Sequence, residues 1–123
     1  MTKAINAVVW LLAAVFMLIG LRWGIDPAGV VGEFGMPLLE GLGRSTQIGD
    51  IGAIFIAASS MVIIGMTSKN PTWLYAPALL MITIATMRTV AWLAHGASFA
   101  TQQIAIEVIT TVLLVLAAKR LKT

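Results

Sequence analysis

The 123-residue chain has no cysteine, a single histidine and few charged residues, which make up 11% of the total. Without cysteine, there can be no disulfide framework, thiolate metal site or cysteine nucleophile. A catalytic zinc usually takes three well-placed protein ligands, and one histidine with scattered carboxylates does not supply them. The sequence therefore predicts no metal and no cofactor.

Basic residues are too few and too localised for a nucleic-acid partner. Eight Lys/Arg stand against five Asp/Glu, which gives a net charge of +3. Three of the basic residues, Lys119, Arg120 and Lys122, form the C-terminal tail. No basic face with interleaved aromatic residues is present. A basic end beside an apolar segment is more typical of a topology signal.

Apolar residues, by contrast, are abundant, at 59% of the chain, with a mean hydropathy of +0.97. An average globular domain is about 45–50% apolar. A domain this small exposes a large share of its atoms, so a water-soluble fold could not hide this much apolar surface. The composition therefore predicts that the lipid bilayer is the solvent.

Four apolar segments have the length of membrane spans, about 20 residues each. They cover approximately 4–23, 46–66, 73–94 and 99–118. The sequence predicts an all-α fold, an integral membrane four-helix bundle, in which residues 1–123 form a single four-span domain. The small residues Gly49, Ala53 and Ala57 recur every fourth position and predict close helix packing in the core, with self-association as the second interpretation.

The segment 24–45 is the one long connector, and short turns join the other helices. Asp26-Pro27 predicts a turn or a helix start. Residues 36–42 are apolar enough to form a short interfacial helix or a re-entrant piece. Since Met36 and Leu38 would be costly to leave in water, we expect the connector to lie against the outer face of the bundle.

The distribution of lysine and arginine predicts the orientation. Lys3, Lys69 and the basic tail fall on one side of the four spans, and the acidic connector falls on the other. The positive-inside rule then places both termini in the cytoplasm of a multi-pass protein. Trp23 and Trp73 lie at span ends, where aromatic belts form.

Three ionisable residues, Asp50, Arg88 and Glu107, fall inside predicted spans, where a charge costs about 2.5–3.5 kcal/mol on insertion scales. All three lie at similar depth from the outer side. We expect Arg88 to pair mainly with Glu107, because a short turn joins their helices, and Asp50 to approach the same layer. The candidate ligand-binding or buried polar network comprises Arg22, Gln47, Asp50, Arg88, Trp92, His95, Gln103 and Glu107. Such a network either fixes helix register without a ligand or forms a functional pocket, and the sequence leaves both interpretations open.

Several motifs resemble a family of small four-helix bacterial inner-membrane proteins to which only a domain of unknown function is assigned. They are the segments 22–27, 35–39 and 43–52, followed by 87–96 and the pair Ile106-Glu107. The chain is also loosely similar to DoxX-like four-helix membrane proteins. The resemblance implies a bacterial inner-membrane location and a four-span fold, and it implies no activity. The polar positions it shares are Arg22, Asp26, Arg44, Gln47, Asp50, Arg88, His95 and Glu107.

Three functions remain open at this point. The first is a binding or accessory protein that holds a small ligand or lipid, docks on a larger membrane complex or self-associates. The second is an intramembrane enzyme with Glu107 or Asp50 as acid/base, although no nucleophile motif or cofactor fingerprint supports it. The third is a small-solute or proton-coupled transporter, which would need polar groups in both halves of the membrane. The sequence favours the first, with a charged pocket in the outer half.

Overall fold

The computed structural model describes residues 1–121, so Lys122 of the predicted basic tail lies outside the described part of the chain. Within that part all regular structure is helical and no strand occurs, which confirms the all-α prediction. The elements are α1 (Thr2–Ile25), α2 (Pro27–Val30), a 3₁₀ turn (Val31–Phe34), α3 (Gly41–Thr46), a π-helical segment (Gln47–Gly52), α4 (Ala53–Ser68), α5 (Thr72–His95) and α6 (Thr101–Leu121).

Among residues 1–121, three helices are long and apolar enough to cross a membrane. They are Thr2–Ile25, the continuous helix Gly41–Ser68 formed by α3, the π segment and α4, and Thr72–His95. The fourth long helix, α6, has 21 residues. The described residues therefore contain three candidate membrane spans, by length and composition.

The second long helix begins five residues earlier than the sequence predicted, at Gly41 rather than Thr46. Glu40 before it is extended, with φ −117° and ψ 162°, and Gly41 has a left-handed φ of 54°. Glycine adopts that conformation at little cost, so the chain can turn directly into the helix. The prediction assigned the glycine-rich residues 41–45 to the connector, and that boundary is wrong.

The connector contains helical turns, but not where the sequence placed them. Asp26 accepts a hydrogen bond from the Gly29 amide at 3.2 Å and caps α2, whose first residue is Pro27. This confirms the helix start predicted at Asp26-Pro27. The short helix predicted over 36–42 is wrong for 36–40, which is not helical. Pro37 explains this, because a proline disfavours helical geometry in the residue before it.

The chain divides into two compact units, and one of them comprises Leu11–Ser60. Its core is built on Trp23, which is completely buried together with Val30 and Val31 of the connector. Met36 and Leu38 also pack on this cluster, so the connector is docked rather than free, as expected, although its position relative to a membrane face stays a prediction. Trp23 lies near the end of α1, as predicted, but its ring is covered by the connector rather than exposed there.

Glycine allows α1 and α4 to approach closely within this unit. A Cβ added at Gly20 would lie 2.9 Å from the backbone nitrogen of Ile56 and 3.0 Å from the carbonyl oxygen of Gly52. The stripe of Gly49, Ala53 and Ala57 is exposed instead, so its predicted core packing is wrong. A small residue permits close helix packing only where it faces the neighbouring helix, and the spacing of small residues does not determine which of them do so.

The other unit comprises Met1–Trp10 and Met61–Thr123. Its main feature is the antiparallel hairpin of α5 and α6, which turns at Gly96 with a left-handed φ of 69°. The buried residues recur at helical spacing on one face of each helix: Leu74, Pro77, Ala78, Met81 and Ala85 on α5, and Glu107, Thr110, Leu114, Ala117 and Ala118 on α6.

Candidate functional site

The α5–α6 hairpin contains the ion pair predicted between Arg88 and Glu107. Arg88 Nε donates to Glu107 Oε1 at 3.1 Å and to Oε2 at 2.9 Å. Glu107 is buried, with 8% of its surface exposed, whereas about a third of the Arg88 side chain, 34%, remains accessible. The pairing prediction is confirmed.

Helical periodicity brings these two side chains together. Arg88 follows Ala85 by three positions and so continues the buried face of α5, while Glu107 is the first buried residue of α6. The Thr111 hydroxyl donates to the Glu107 carbonyl at 2.7 Å and lies 3.5 Å from the Ala78 carbonyl on α5. The first bond lies within α6, and the second links α6 to α5 one turn beyond the carboxylate, so it supports the same register as the ion pair.

The ion pair uses only part of the arginine. Both contacts to Glu107 come from Nε, and the guanidinium makes no other hydrogen bond or ion pair to any residue from 1 to 121. Arginine carries five N–H donors in a planar fork that matches carboxylate and phosphate groups. Nη1 and Nη2 of Arg88 are thus available as donors for an anionic group.

The remaining predicted residues of this unit lie near the α5–α6 turn. Trp92 is exposed, and its ring packs edge-on against Phe99 with the ring centroids 4.8 Å apart. His95 is the exposed last residue of α5, and Gln103 is half-buried near the start of α6. They form a polar and aromatic end to the hairpin. That they share a ligand-binding or polar network with Arg88 stays a prediction.

Arg22 pairs with a residue outside the predicted polar network. Its Nη1 and Nη2 donate to the two carboxylate oxygens of Glu33 at 3.1 and 2.6 Å, and Nη2 also lies 3.3 Å from the Gly29 carbonyl. The Arg22 guanidinium holds the pKa of the Glu33 carboxyl below its ordinary range. Arg22 thus fastens the connector to the end of α1. Sequence reasoning missed Glu33, although the connector's excess of acids was a signal.

Gln47 lies in the π segment and holds the connector. Its Oε1 accepts from the Leu39 amide at 2.8 Å, and its Nε2 donates to the Pro37 carbonyl at 3.0 Å and contacts Met36 Sδ at 3.7 Å. Arg44 Nε adds a bond to the Leu39 carbonyl at 2.8 Å. Gln47 is buried, at 4% exposure. Its amide is therefore structural, since the connector uses both of its ends.

Asp50 takes part in neither ion pair. It is exposed, belongs to the same π segment as Gln47, and has no hydrogen bond or ion pair within residues 1–121. It borders an open groove of about 540 Å³ together with Thr46, Ile51 and residues of the connector. That Asp50 shares a charge layer with Arg88 stays a prediction.

The indole N–H of Trp23 lies in an environment that the sequence did not predict. Its indole Nε1 is buried and has no hydrogen-bond acceptor among the described residues. An unpaired buried donor costs about 1–3 kcal/mol. No pattern in the sequence distinguishes this tryptophan from Trp10, Trp73 or Trp92. Only the path of the connector does so.

Comparison with known proteins does not assign the chain to a family, because no family model, curated protein or solved structure matches it. The resemblance to small bacterial membrane proteins stays a prediction. Among residues 1–121 there is also no cluster of three or more His, Asp or Glu side chains that could hold a metal ion. The function must therefore be argued from the two ion pairs and the groove.

Proposed function

We propose that the chain is a four-span protein of the bacterial inner membrane with both termini in the cytoplasm. It acts as a small binding or accessory protein, on its own or within a larger membrane assembly. Its site is centred on Arg88 and Glu107, in the outer half of the bundle, and takes the phosphate or carboxylate group of a small ligand or lipid.

The fourth span is α6. Its 21 residues extend over roughly 32 Å at 1.5 Å per residue, and a bilayer core is about 30 Å thick. No charged residue lies between Glu107 and Lys119. Lys119 and Arg120 close the helix, where a basic end favours the cytoplasmic side.

A contact between the two ends of the chain supports a common side for them. Arg120 Nη1 donates to the Thr2 hydroxyl at 2.9 Å, and Nη2 lies 3.3 Å from Met1 Sδ. An even number of spans has this result, because each crossing reverses the direction of the chain. Lys3 beside Thr2 adds positive charge at the same end.

The observation that carries the binding proposal is that only Nε of the Arg88 guanidinium forms hydrogen bonds within residues 1–121. Glu107 neutralises the charge through Nε, which lowers the cost of placing arginine in a membrane. Nη1 and Nη2 remain available, and a third of the side chain is accessible. Donors in hydrocarbon need acceptors, and an anionic headgroup supplies several. In a purely structural ion pair, we would expect Nη1 or Nη2 of Arg88 to donate to the carboxylate as well.

Lipid retention tests the proposal. The purified protein is reconstituted into phosphatidylcholine nanodiscs with a minor fraction of phosphatidylglycerol, and retained lipid is counted by native mass spectrometry. Wild type should retain phosphatidylglycerol, and decyl phosphate should displace it. Arg88→Gln should lose most of the retained lipid, and Arg88→Lys should lose part of it, because lysine lacks the planar fork.

Arg44→Gln is the matched control, since Arg44 also bonds through Nε alone but stands outside the ion pair. It should retain phosphatidylglycerol as wild type does. Equal losses in Arg44→Gln and Arg88→Gln would reduce the effect to general surface charge. Full retention in Arg88→Gln would overturn the proposed site.

A further inference from the structure

The groove beside Asp50 has an apolar floor and walls. Met36 and Ile51 belong to the cluster that packs around Trp23, so the floor is continuous with the core of the unit. Leu39 and Leu42 stand at the rim with 44% and 84% of their surfaces exposed. The volume of about 540 Å³ falls within the range of about 300–1,000 Å³ typical of small-molecule sites.

One charge borders this apolar surface. Among the lining residues Asp50 is the only ionisable group, and it has no partner within residues 1–121. Gln47 also lines the groove, but its amide is already engaged by the connector. A carboxylate in a helix long and apolar enough to span a membrane requires compensation. The groove supplies none from its own residues.

The residues that line the groove indicate which kind of cation could neutralise Asp50. A calcium or magnesium ion takes six or more oxygen ligands; this groove offers one carboxylate and the Thr46 hydroxyl, so water would have to supply most of the others. A small hydrated cation would leave Leu39 and Leu42 uncovered. An organic cation with an apolar body satisfies both features, since its charge meets Asp50 and its body covers the leucines.

Asp50 also lies within the π segment Gln47–Gly52. Runs of π-helix are rare and occur frequently at functional sites. The wide turn places Thr46, Gln47, Asp50 and Ile51 along one groove. We propose that this groove is a binding site for an amphiphilic organic cation, with Asp50 as its counter-ion. The proposal uses none of the residues of the anion site at Arg88 and does not rest on it.

Tetraphenylphosphonium is a suitable probe, because it carries one delocalised charge on an apolar body. The full-length protein is placed in nanodiscs of zwitterionic phosphatidylcholine, and binding is measured by isothermal titration calorimetry against empty nanodiscs. Wild type should bind one equivalent saturably. Triphenylphosphine oxide, similar in shape but neutral, should not compete.

Two variants separate charge from shape. Asp50→Asn should weaken binding at least tenfold, and Leu42→Gln should weaken it several-fold by making the rim polar while leaving the charge in place. Glu40→Gln is the matched control, because Glu40 is an exposed acid of the same region that does not line the groove, and it should bind as wild type does.

Circular dichroism and size-exclusion chromatography establish that each variant is folded. If Asp50→Asn does not fold, two separate single variants decide: Asp50→Glu should retain binding, and Leu42→Gln should weaken it several-fold. Non-saturable uptake by wild type, or unchanged binding in Asp50→Asn or in Leu42→Gln, would overturn the proposal. Equal loss in Glu40→Gln would also overturn it, since a general acidic surface would then account for the uptake.

Discussion

Arg88 contacts both oxygens of Glu107 from a single nitrogen, Nε. Both carboxylate oxygens therefore accept a hydrogen bond, whereas only one of the three guanidinium nitrogens donates to them. The two partners therefore differ in what they lose when the other is removed. A Glu107 without Arg88 is a buried anion with no cation, whereas an Arg88 without Glu107 is a partly accessible cation that can reach water or a headgroup.

The first prediction concerns this asymmetry. Arg88→Leu should lower the free energy of unfolding by about 1.5–3 kcal/mol, the range for a hydrogen bond to a charged group. The double variant Arg88→Leu/Glu107→Leu should be less destabilised, because it leaves no buried charge unpaired. Thermal unfolding in detergent micelles measures both. A double variant less stable than Arg88→Leu would contradict the burial argument.

The second prediction concerns the Gly20 contact. Gly20→Val should destabilise the protein by about 1–3 kcal/mol, as overpacking does, because the added atoms would meet Ile56 and the Gly52 carbonyl. Gly24→Ala on the same helix is the control. Nothing lies within 4 Å of a Cβ at Gly24, so alanine there should be neutral or slightly stabilising. Equal effects of the two substitutions on the melting temperature would argue against close packing at Gly20.

The third prediction concerns the connector. Gln47→Ala removes the acceptor of the Leu39 amide and a donor to the Pro37 carbonyl, bonds that contribute about 0.5–1.5 kcal/mol each. Hydrogen exchange followed by mass spectrometry should show faster exchange in peptides covering 36–44, with little change in α5 and α6. Gln102→Ala, at an exposed glutamine of α6, serves as the control. Unchanged exchange in 36–44 would mean that Gln47 does not hold this segment.

The fourth prediction concerns pH. Because the Arg22 guanidinium lowers the pKa of Glu33, the contact is fully present above the pKa that Glu33 has in the unfolded chain. It is lost as the pH falls through the lower pKa of the folded state. Carbon-13 NMR titration of the Glu33 carboxyl in micelles should give a pKa below that of a free glutamate. In Arg22→Gln the pKa should rise towards the ordinary range, and an unchanged value would exclude Arg22 as its cause.

The fifth prediction concerns topology. With both termini in the cytoplasm, a periplasm-dependent alkaline phosphatase fused after Thr123 should be inactive, and a green fluorescent protein there should be fluorescent. The same pair of reporters fused after Gly35, in the connector, should give the opposite result. An active phosphatase at the C-terminus would exclude an even number of spans with a cytoplasmic start.

Some of these features could be predicted from the sequence because they depend on local rules. Long apolar runs specify helices, and a short turn between α5 and α6 places Arg88 and Glu107 at matching heights. The partner of Arg22 could not be identified in this way, because the connector offers Asp26, Glu33 and Glu40 and only its path selects Glu33. The same path buries Trp23.

The early start of the second long helix was missed for a different reason. Glycines and polar residues in 41–45 have low helix propensity, yet Gln47 and Arg44 hold the extended residues beside them. Tertiary contacts there outweigh intrinsic preference. The sequence predicted Asp50 as part of the charge layer of Arg88, and that stays a prediction. The groove beside Asp50 could not be predicted, because it includes connector residues whose position no helical spacing encodes.

The π segment affects how substitutions in this helix should be compared with one another. A turn closed by an i→i+5 bond holds more residues than an α-turn, so an angular map drawn at constant α-helical pitch drifts across Gln47–Gly52. Positions on opposite sides of the segment that share a face on such a map, such as Gly43 and Ala57, do not share one in the folded chain. Scanning mutagenesis of this helix is therefore best interpreted as two separate wheels, one for α3 and one for α4.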